Sequence, residues 1–242
     1  MKNKYGLQLY SVRDITEKDL EGAIRAVAEL GYSSVEMAGF FGHSAKEVRK
    51  MLDGAGVTLV GTHSSDIELS EEKIEDTIAY HKAIGNKNYI IPAVDFSTPE
   101  KIEAFVALVN SAGPRLAEAG ITLAYHNHSA EYLTPTPEGC FLDTLEKRTN
   151  ISFEIDTYWA WNAGRSPVEE MKRLGKRLIL IHLKDGLKGG EGRALGEGEV
   201  PLGEIIAAAE ALGVPMVVES ETLDPTGPEE VKRCIEYLQK NG

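Results

Sequence analysis

Short apolar runs alternate with longer amphipathic stretches along the whole chain, and this alternation limits the fold more than any other feature. The runs are 5–12 (YGLQLYSV), 33–38, 57–63, 88–93, 121–127, 151–156, 177–184 and 215–221, eight in all. Each has the length and the aliphatic, β-branched or aromatic content of a strand. Between them lie stretches of helical period such as 19–31, where Leu20, Ile24, Val27, Ala28 and Leu30 share a face. The same pattern recurs over 45–56, 71–85, 99–120, 167–175, 202–213 and 227–242. Gly31, Gly56, Gly85, Gly120 and Gly213 stand where a helix should stop before the next strand. Thr98 before Pro-Glu and Thr226 before Gly-Pro-Glu suit helix starts. Strands separated by helices pair in parallel through right-handed crossovers. Eight such units in 242 residues predict one α/β domain over 1–242, a closed (β/α)8 barrel. No Gly-x-Gly-x-x-Gly follows the first run, so an open dinucleotide-binding sheet lacks its main support.

In a parallel barrel the carboxyl ends of all strands meet on one rim. Four metal-ligating residue types end such runs here: His126 after ITLAY, Asp156 after ISFEI, His182 after LILI and Glu219 after PMVV. Side chains alternate along a strand, so parity tests their direction. His126 shares parity with Thr122 and Ala124, His182 with Leu178 and Leu180, and Glu219 with Val217. Asp156 shares parity with Glu154, which would lie one layer deeper and need a hydrogen-bond partner or a proton. Unneeded buried charges are costly, so this set favours an enzyme over a binding barrel.

The formal net charge of -12 argues against a nucleic-acid partner, which needs a concentrated basic face. Cys140 and Cys234 stand far apart in no metal-like spacing, which suits a reducing cytoplasm. The first residues are too poor in apolar side chains for a signal peptide, and no run is long enough to cross a bilayer. The expectation is a cytoplasmic enzyme with a small-molecule substrate; a homo-oligomer is compatible with the sequence.

The motifs GLQLYSVRD, GYSSVEMAG, THSSD, YHNHSAEY, EIDTYWAWNAG, LIHLKDG, GEGEVPLGEI and VVESE run through essentially the whole chain. Together they resemble the xylose-isomerase-like TIM barrels, the sugar phosphate isomerase/epimerase group that also contains endonuclease IV. The resemblance implies one divalent metal ion, manganese first, with zinc, cobalt or magnesium as alternatives. It would be held by Glu219 of VVESE, His182 of LIHLKD, Asp156 of EID and, at the strand-five position, His126 of YHNH. Better-known epimerases carry a glutamate at that last position, and their two glutamates shuttle a proton across a metal-bound enediolate. With His126 in its place, the four side chains carry two negative charges, which balance a divalent ion. An imidazole cannot bind metal and act as base through the same nitrogen.

The catalytic candidates are therefore Glu219, His126 and His128, the last paired with Glu131. Glu36, His63, Tyr158, Trp159 and Lys184 are expected to line the substrate pocket, Tyr158 and Trp159 as an apolar wall. His43 and His81 read as surface residues of a loop and a helix. The glycine-rich segment 186–203 is either a cover for substrate or a surface connection, and its Lys188 and Arg193 could meet a phosphate. Nearby acidic residues tilt the reading toward an uncharged sugar or glycoside. The leading function is a metal-dependent isomerase or epimerase of a sugar or keto sugar, acting by α-proton abstraction. The alternative is a metal-dependent dehydratase or lyase acting on an inosose or 3-keto sugar or glycoside. An endonuclease-IV-like phosphodiesterase would need three zinc ions, which six histidines and a charge of -12 disfavour.

Overall fold

A computed structural model describes residues 4–241. Eight parallel strands close into a barrel in sequence order: β1 (Tyr5–Gln8), β2 (Ser34–Ala38), β3 (Thr58–His63), β4 (Asn88–Ile91), β5 (Thr122–His126), β6 (Ser152–Asp156), β7 (Leu178–Leu183) and β8 (Met216–Val218). Each expected run contains one of them, so the (β/α)8 expectation holds. The first run ends its strand at Gln8, where the side chain accepts from the Tyr10 amide and turns the chain into a short 3-10 segment over Leu9–Val12.

Helices α1 (Leu20–Glu29), α2 (Ala45–Ala55), α3 (Ile74–Ile84), α4 (Pro99–Glu118), α5 (Phe141–Arg148), α6 (Pro167–Leu174), α7 (Leu202–Leu212) and α8 (Gly227–Asn241) surround the barrel. Gly56, Gly85 and Gly213 are the left-handed residues that end α2, α3 and α7. Thr98 caps α4, accepting from the Lys101 amide. The sequence pattern did not announce α5; the Asp143 carboxylate accepts from the Cys140 amide at its start. No helix among the described residues is long and apolar enough to cross a membrane.

Two apolar regions follow from the alternation of strand side chains. One set faces the helices and forms the large core between barrel and outer ring. The other faces inward, where Ile90, Ala124, Leu180 and Val217 fill the barrel as a separate cluster. Ala124, Leu180 and Val217 each stand two residues before a polar residue at the rim. His126, His182 and Glu219 therefore continue the same inward column.

Candidate active site

Above the apolar plug lies a buried polar layer whose hub is Glu154. Its Oε2 is 2.8 Å from His63 Nε2 and 3.1 Å from His126 Nδ1, and its Oε1 is 3.2 Å from His182 Nε2. Glu36, on the far side of the barrel, places Oε2 2.7 Å from His182 Nε2 and accepts from Gln8 Nε2 at 2.9 Å. Room for that carboxylate comes from Gly61 on β3, because a Cβ there would stand 3.0 Å from Glu36 Oε1 and 2.8 Å from Ile90 Cδ1. Imidazoles tied down at one nitrogen have a fixed ring plane and tautomer. His126 keeps Nε2 free of this layer, and His182 turns Nδ1 upward.

The charges in this layer are strongly biased. Burial raises the Glu36 carboxyl, and the Glu154 charge adds to the rise. Burial also acts against Glu154, but the His182, His126 and His63 rings overcome it and hold that carboxyl well below its ordinary range. His126 is pushed down to about 3 by burial, so its ring is neutral and able to ligate. His182 goes the other way: burial lowers it, but Glu154 and Glu219 prevail and raise it.

One step further out, His126, Asp156, His182 and Glu219 offer ligand atoms within 4.8 Å of one another, all buried. His182 Nδ1 is 3.2 Å from Glu219 Oε2. Asp156 uses Oδ1 to accept from the Trp159 amide at 2.8 Å, capping a short helix over Thr157–Asn162. Its Oδ2 is buried and has no hydrogen-bond partner. An ionised, orphaned oxygen in such a place is expensive, and burial accordingly raises Asp156 to about 7 against the pull of Lys184. A divalent cation would complete that oxygen. Two carboxylates, two nitrogen donors and the layer beneath that orients them therefore fit a divalent ion. His63, His126, Glu154 and His182 form a second group of ligand types, but Glu154 engages both ligand histidines at the nitrogen turned away from the outer set. That geometry makes Glu154 an orienting group.

Lys184 is buried beside this set, 3.2 Å from Glu219 Oε2 and 3.8 Å from Asp156 Oδ2, and also pairs with Glu221. Burial would lower its ammonium, yet the Glu219, Asp156 and Glu221 charges raise it above the ordinary value. The same cation stands 5.0 Å over the Trp159 ring. Glu219 is lowered despite burial, chiefly by Lys184 and then His182.

A cleft of about 400 Å³ opens above these groups, with His63, His126, Glu219 and Glu221 among its walls. His128 also lines it, with its side chain 39% exposed. Burial lowers His128, but Glu131 outweighs it and the net shift is upward. Glu131 also accepts from the His128 amide at 2.9 Å, fixing the residue at the start of a short helix over Ser129–Leu133.

Several expectations need correction. Tyr158 is no pocket wall: it is fully buried and donates to the Leu187 carbonyl at 3.0 Å. Glu36 lies under the cleft as a partner of His182, with no exposed surface to meet a substrate. Trp159 stands behind Lys184 and His128, and its Nε1 is buried without a partner. His81 is buried, 3.0 Å from Asn86 Nδ2, and burial lowers it to about 4. Segment 186–203 contributes no wall to the cleft. It forms a hairpin, Asp185–Leu187 with Glu191–Arg193, held down on its neighbours. Lys188 donates to the Trp161 carbonyl and Arg193 pairs with Glu191, so neither basic group is free for phosphate.

Sequence reasoning named Glu154 without giving it a role, and it passed over Gln8 and Glu221. Parity was the available signal: Glu154 and Glu221 each stand two residues from an assigned ligand. Asp185 is the other omission. Its carboxylate accepts from the amides of Gly186, Gly196, Gly198 and Val200 at 2.8–3.1 Å and so closes the long loop on itself.

Comparison with known proteins agrees with this architecture. The chain is 27% identical over 183 residues to an inosose dehydratase of Mesomycoplasma hyopneumoniae (strain 7448), covering 67% of this chain and 61% of that relative. It thus spans less than two-thirds of that relative's length. A sugar phosphate isomerase/epimerase from Parabacteroides distasonis superposes with a TM-score of 0.83 at 26% identity, over 98% of this chain and 97% of the other. A probable 3-DHS dehydratase from Bacillus anthracis shares the fold, with a TM-score of 0.75 at 15% identity over 99% and 100% of the two chains. A sequence model of one family matches residues 24–241, most of the barrel, and the chain belongs to that family, the xylose isomerase-like TIM barrels.

Proposed function

We propose that this barrel moves a proton next to the carbonyl of a small, uncharged sugar ketone, with Glu219 as base. The observation that carries the reading is the asymmetry of the cleft. Carboxylates from the end of β8 line one side and imidazoles from β3 and β5 line the other. Glu219 Oε2 is engaged by His182 and Lys184, and no hydrogen bond to its Oε1 occurs among the described residues, which leaves Oε1 to take the proton. Lys184 keeps Glu219 ionised and therefore ready to accept. His128, raised by Glu131 and half open to the cleft, supplies a proton from the opposite side. His126, Asp156, His182 and Glu219 would hold a divalent ion, which when bound polarises the substrate carbonyl and offsets the charge that develops on its oxygen.

If the proton returns to carbon, the net reaction is isomerisation or epimerisation, and this is the first reading. The likeness to the Parabacteroides sugar phosphate isomerase/epimerase supports it. A second reading sends the His128 proton to a β-hydroxyl, which leaves as water. An imidazole in place of a second carboxylate favours that dehydration, as does the likeness to inosose dehydratases.

The test is incubation of manganese-loaded protein with keto sugars and inososes in deuterated water. NMR reads exchange at the α-carbon and mass spectrometry reads loss of water. Exchange that stops in Glu219→Gln, and that persists without net product in His128→Gln, is expected. Failure of every substrate to exchange would overturn the proposal, and loss of water without isomer would select the second reading.

A further inference from the structure

A second cavity of about 490 Å³ adjoins the cleft, and Gly39 and His63 line both. It lies between the end of β2, the segment after β3 and α3. Gly39 brings no side chain to the shared boundary, and a Cβ there would meet nothing nearer than Phe41 Cζ at 3.8 Å. One wall is aromatic. The Phe40 and Tyr80 rings stand 4.7 Å apart at 52°, and His81 continues the wall toward Tyr89, their centroids 4.8 Å apart. Both tyrosine hydroxyls are already used, Tyr80 on the His43 carbonyl at 2.8 Å and Tyr89 on the Ser65 carbonyl at 2.6 Å. Phe40 and Tyr80, both partly exposed, present ring surface to the cavity, and the buried His81 and Tyr89 rings back them.

The other wall is polar without being cationic. Lys73 is paired with Glu68 at 2.8 Å, and Asp76 has no ion-pair partner among the described residues. A phosphate or carboxylate would meet net negative charge here. A neutral polyol would find carboxylate acceptors for its hydroxyls on one side and an apolar platform for its C–H face on the other.

The backbone supplies an independent sign that Phe40 is held in place. Gly39, Phe41 and Gly42 all have positive φ, at 99°, 50° and 79°. Among the described residues Phe41 is one of two non-glycine residues in that region, and it is 43% exposed, so burial of its own side chain does not explain the strain. The turn instead sets Phe40 against Tyr80, on the wall of the second cavity.

We infer that this second cavity is a subsite for a neutral sugar ring, so that the substrate is a glycoside whose reacting ring occupies the cleft above Glu219. The inference deepens the reading of the cleft as a sugar-ketone site and rests on it. Two cavities that meet at Gly39 and His63 hold two linked rings, the distal one on Phe40 and Tyr80. The two subsites then divide the work: the cleft performs the proton transfer, and the flank chooses among substrates by what the reacting ring carries.

Ketose disaccharides test this directly, because turanose, maltulose, leucrose and isomaltulose each add one glucosyl ring to a fructose unit. Their affinities, and that of D-fructose, are measured on the full chain by saturation-transfer NMR. At least one disaccharide is expected to bind about tenfold or more tightly than fructose. Phe40→Ala is expected to remove that advantage by lowering disaccharide affinity far more than fructose affinity, and Phe40→Trp to keep it. If Phe40→Ala does not fold, Asp76→Leu serves the same purpose from the opposite wall. Fructose binding without any disaccharide advantage, or an advantage that survives both substitutions, overturns the subsite and leaves the cleft reading standing. No binding of any of these sugars removes the carbohydrate reading, and the subsite with it.

Discussion

Replacing Asp185 with asparagine tests whether one carboxylate organises the longest loop of the barrel. Asp185 is 1% exposed, and its two oxygens accept from four backbone amides: Oδ1 from Gly186 and Val200, Oδ2 from Gly196 and Gly198. Gly198 has little room for anything else, since a Cβ there would stand 2.2 Å from Asp185 Oδ1. Hydrogen bonds to an ionised acceptor contribute about 1.5–3 kcal/mol each. Asparagine keeps one acceptor oxygen for two of the amides and turns an NH2 group on the other two, which lose their acceptor. The expected loss is about 3–5 kcal/mol, less than four times the single-bond value because the loop relaxes toward water. Urea unfolding followed by circular dichroism would show it as a midpoint lowered by roughly 1 M or more. Limited proteolysis should then cut within 187–199 under conditions that leave the parent chain whole. A midpoint within about 0.3 M of the parent, with the loop still protected, would refute the argument.

Two further outcomes follow from the buried polar groups. Glu154→Gln keeps the volume of the hub but takes the charge from beneath His126 and His182, so divalent-metal affinity should fall about 10–100-fold by calorimetric titration; unchanged affinity would mean that the layer does not orient the ligands. His81 bears on stability against pH. Its folded value is depressed to about 4 from the 6.5 of an exposed ring, so the neutral ring's contribution is fully present above about pH 6.5 and is lost as pH falls toward 4. The loss amounts to about 3 kcal/mol over that window, and His81→Gln should flatten the slope of stability against pH there. Parallel slopes in the parent and the variant would show that His81 titrates normally.

The barrel was legible because its signal repeats. Eight apolar runs and seven helical stretches each repeat the same pattern, and local propensity agrees with the global arrangement at nearly every unit. Parity was enough to send His126, His182 and Glu219 inward, since each continues a column that begins in the apolar plug. It could not say which inward polar residues face solvent and which lie beneath. Glu36 stands in the middle of β2 and is closed over by Gln8 and His182, while His63 ends β3 and reaches the cleft. That difference depends on which neighbours cross the barrel, and sequence spacing does not contain it. Tyr158 and His81 illustrate the same blindness at the surface. Each reads as amphipathic, but Tyr158 is covered by the segment whose Leu187 carbonyl it meets, and His81 packs against Asn86, Phe40 and Tyr89. The grip of Asp185 on segment 186–203 was hidden for a related reason: its partners are backbone amides, which every sequence supplies.

The most direct test of the account is metal content. Elemental analysis of the parent chain, purified without chelator and reloaded with manganese, should find about one divalent ion per chain. His126→Ala and Asp156→Ala, both still folded by circular dichroism, should hold much less, because they remove the neutral nitrogen donor and the orphaned Oδ2. An absence of bound metal after reloading, or full occupancy in both variants, would contradict the four-residue centre and the chemistry built on it.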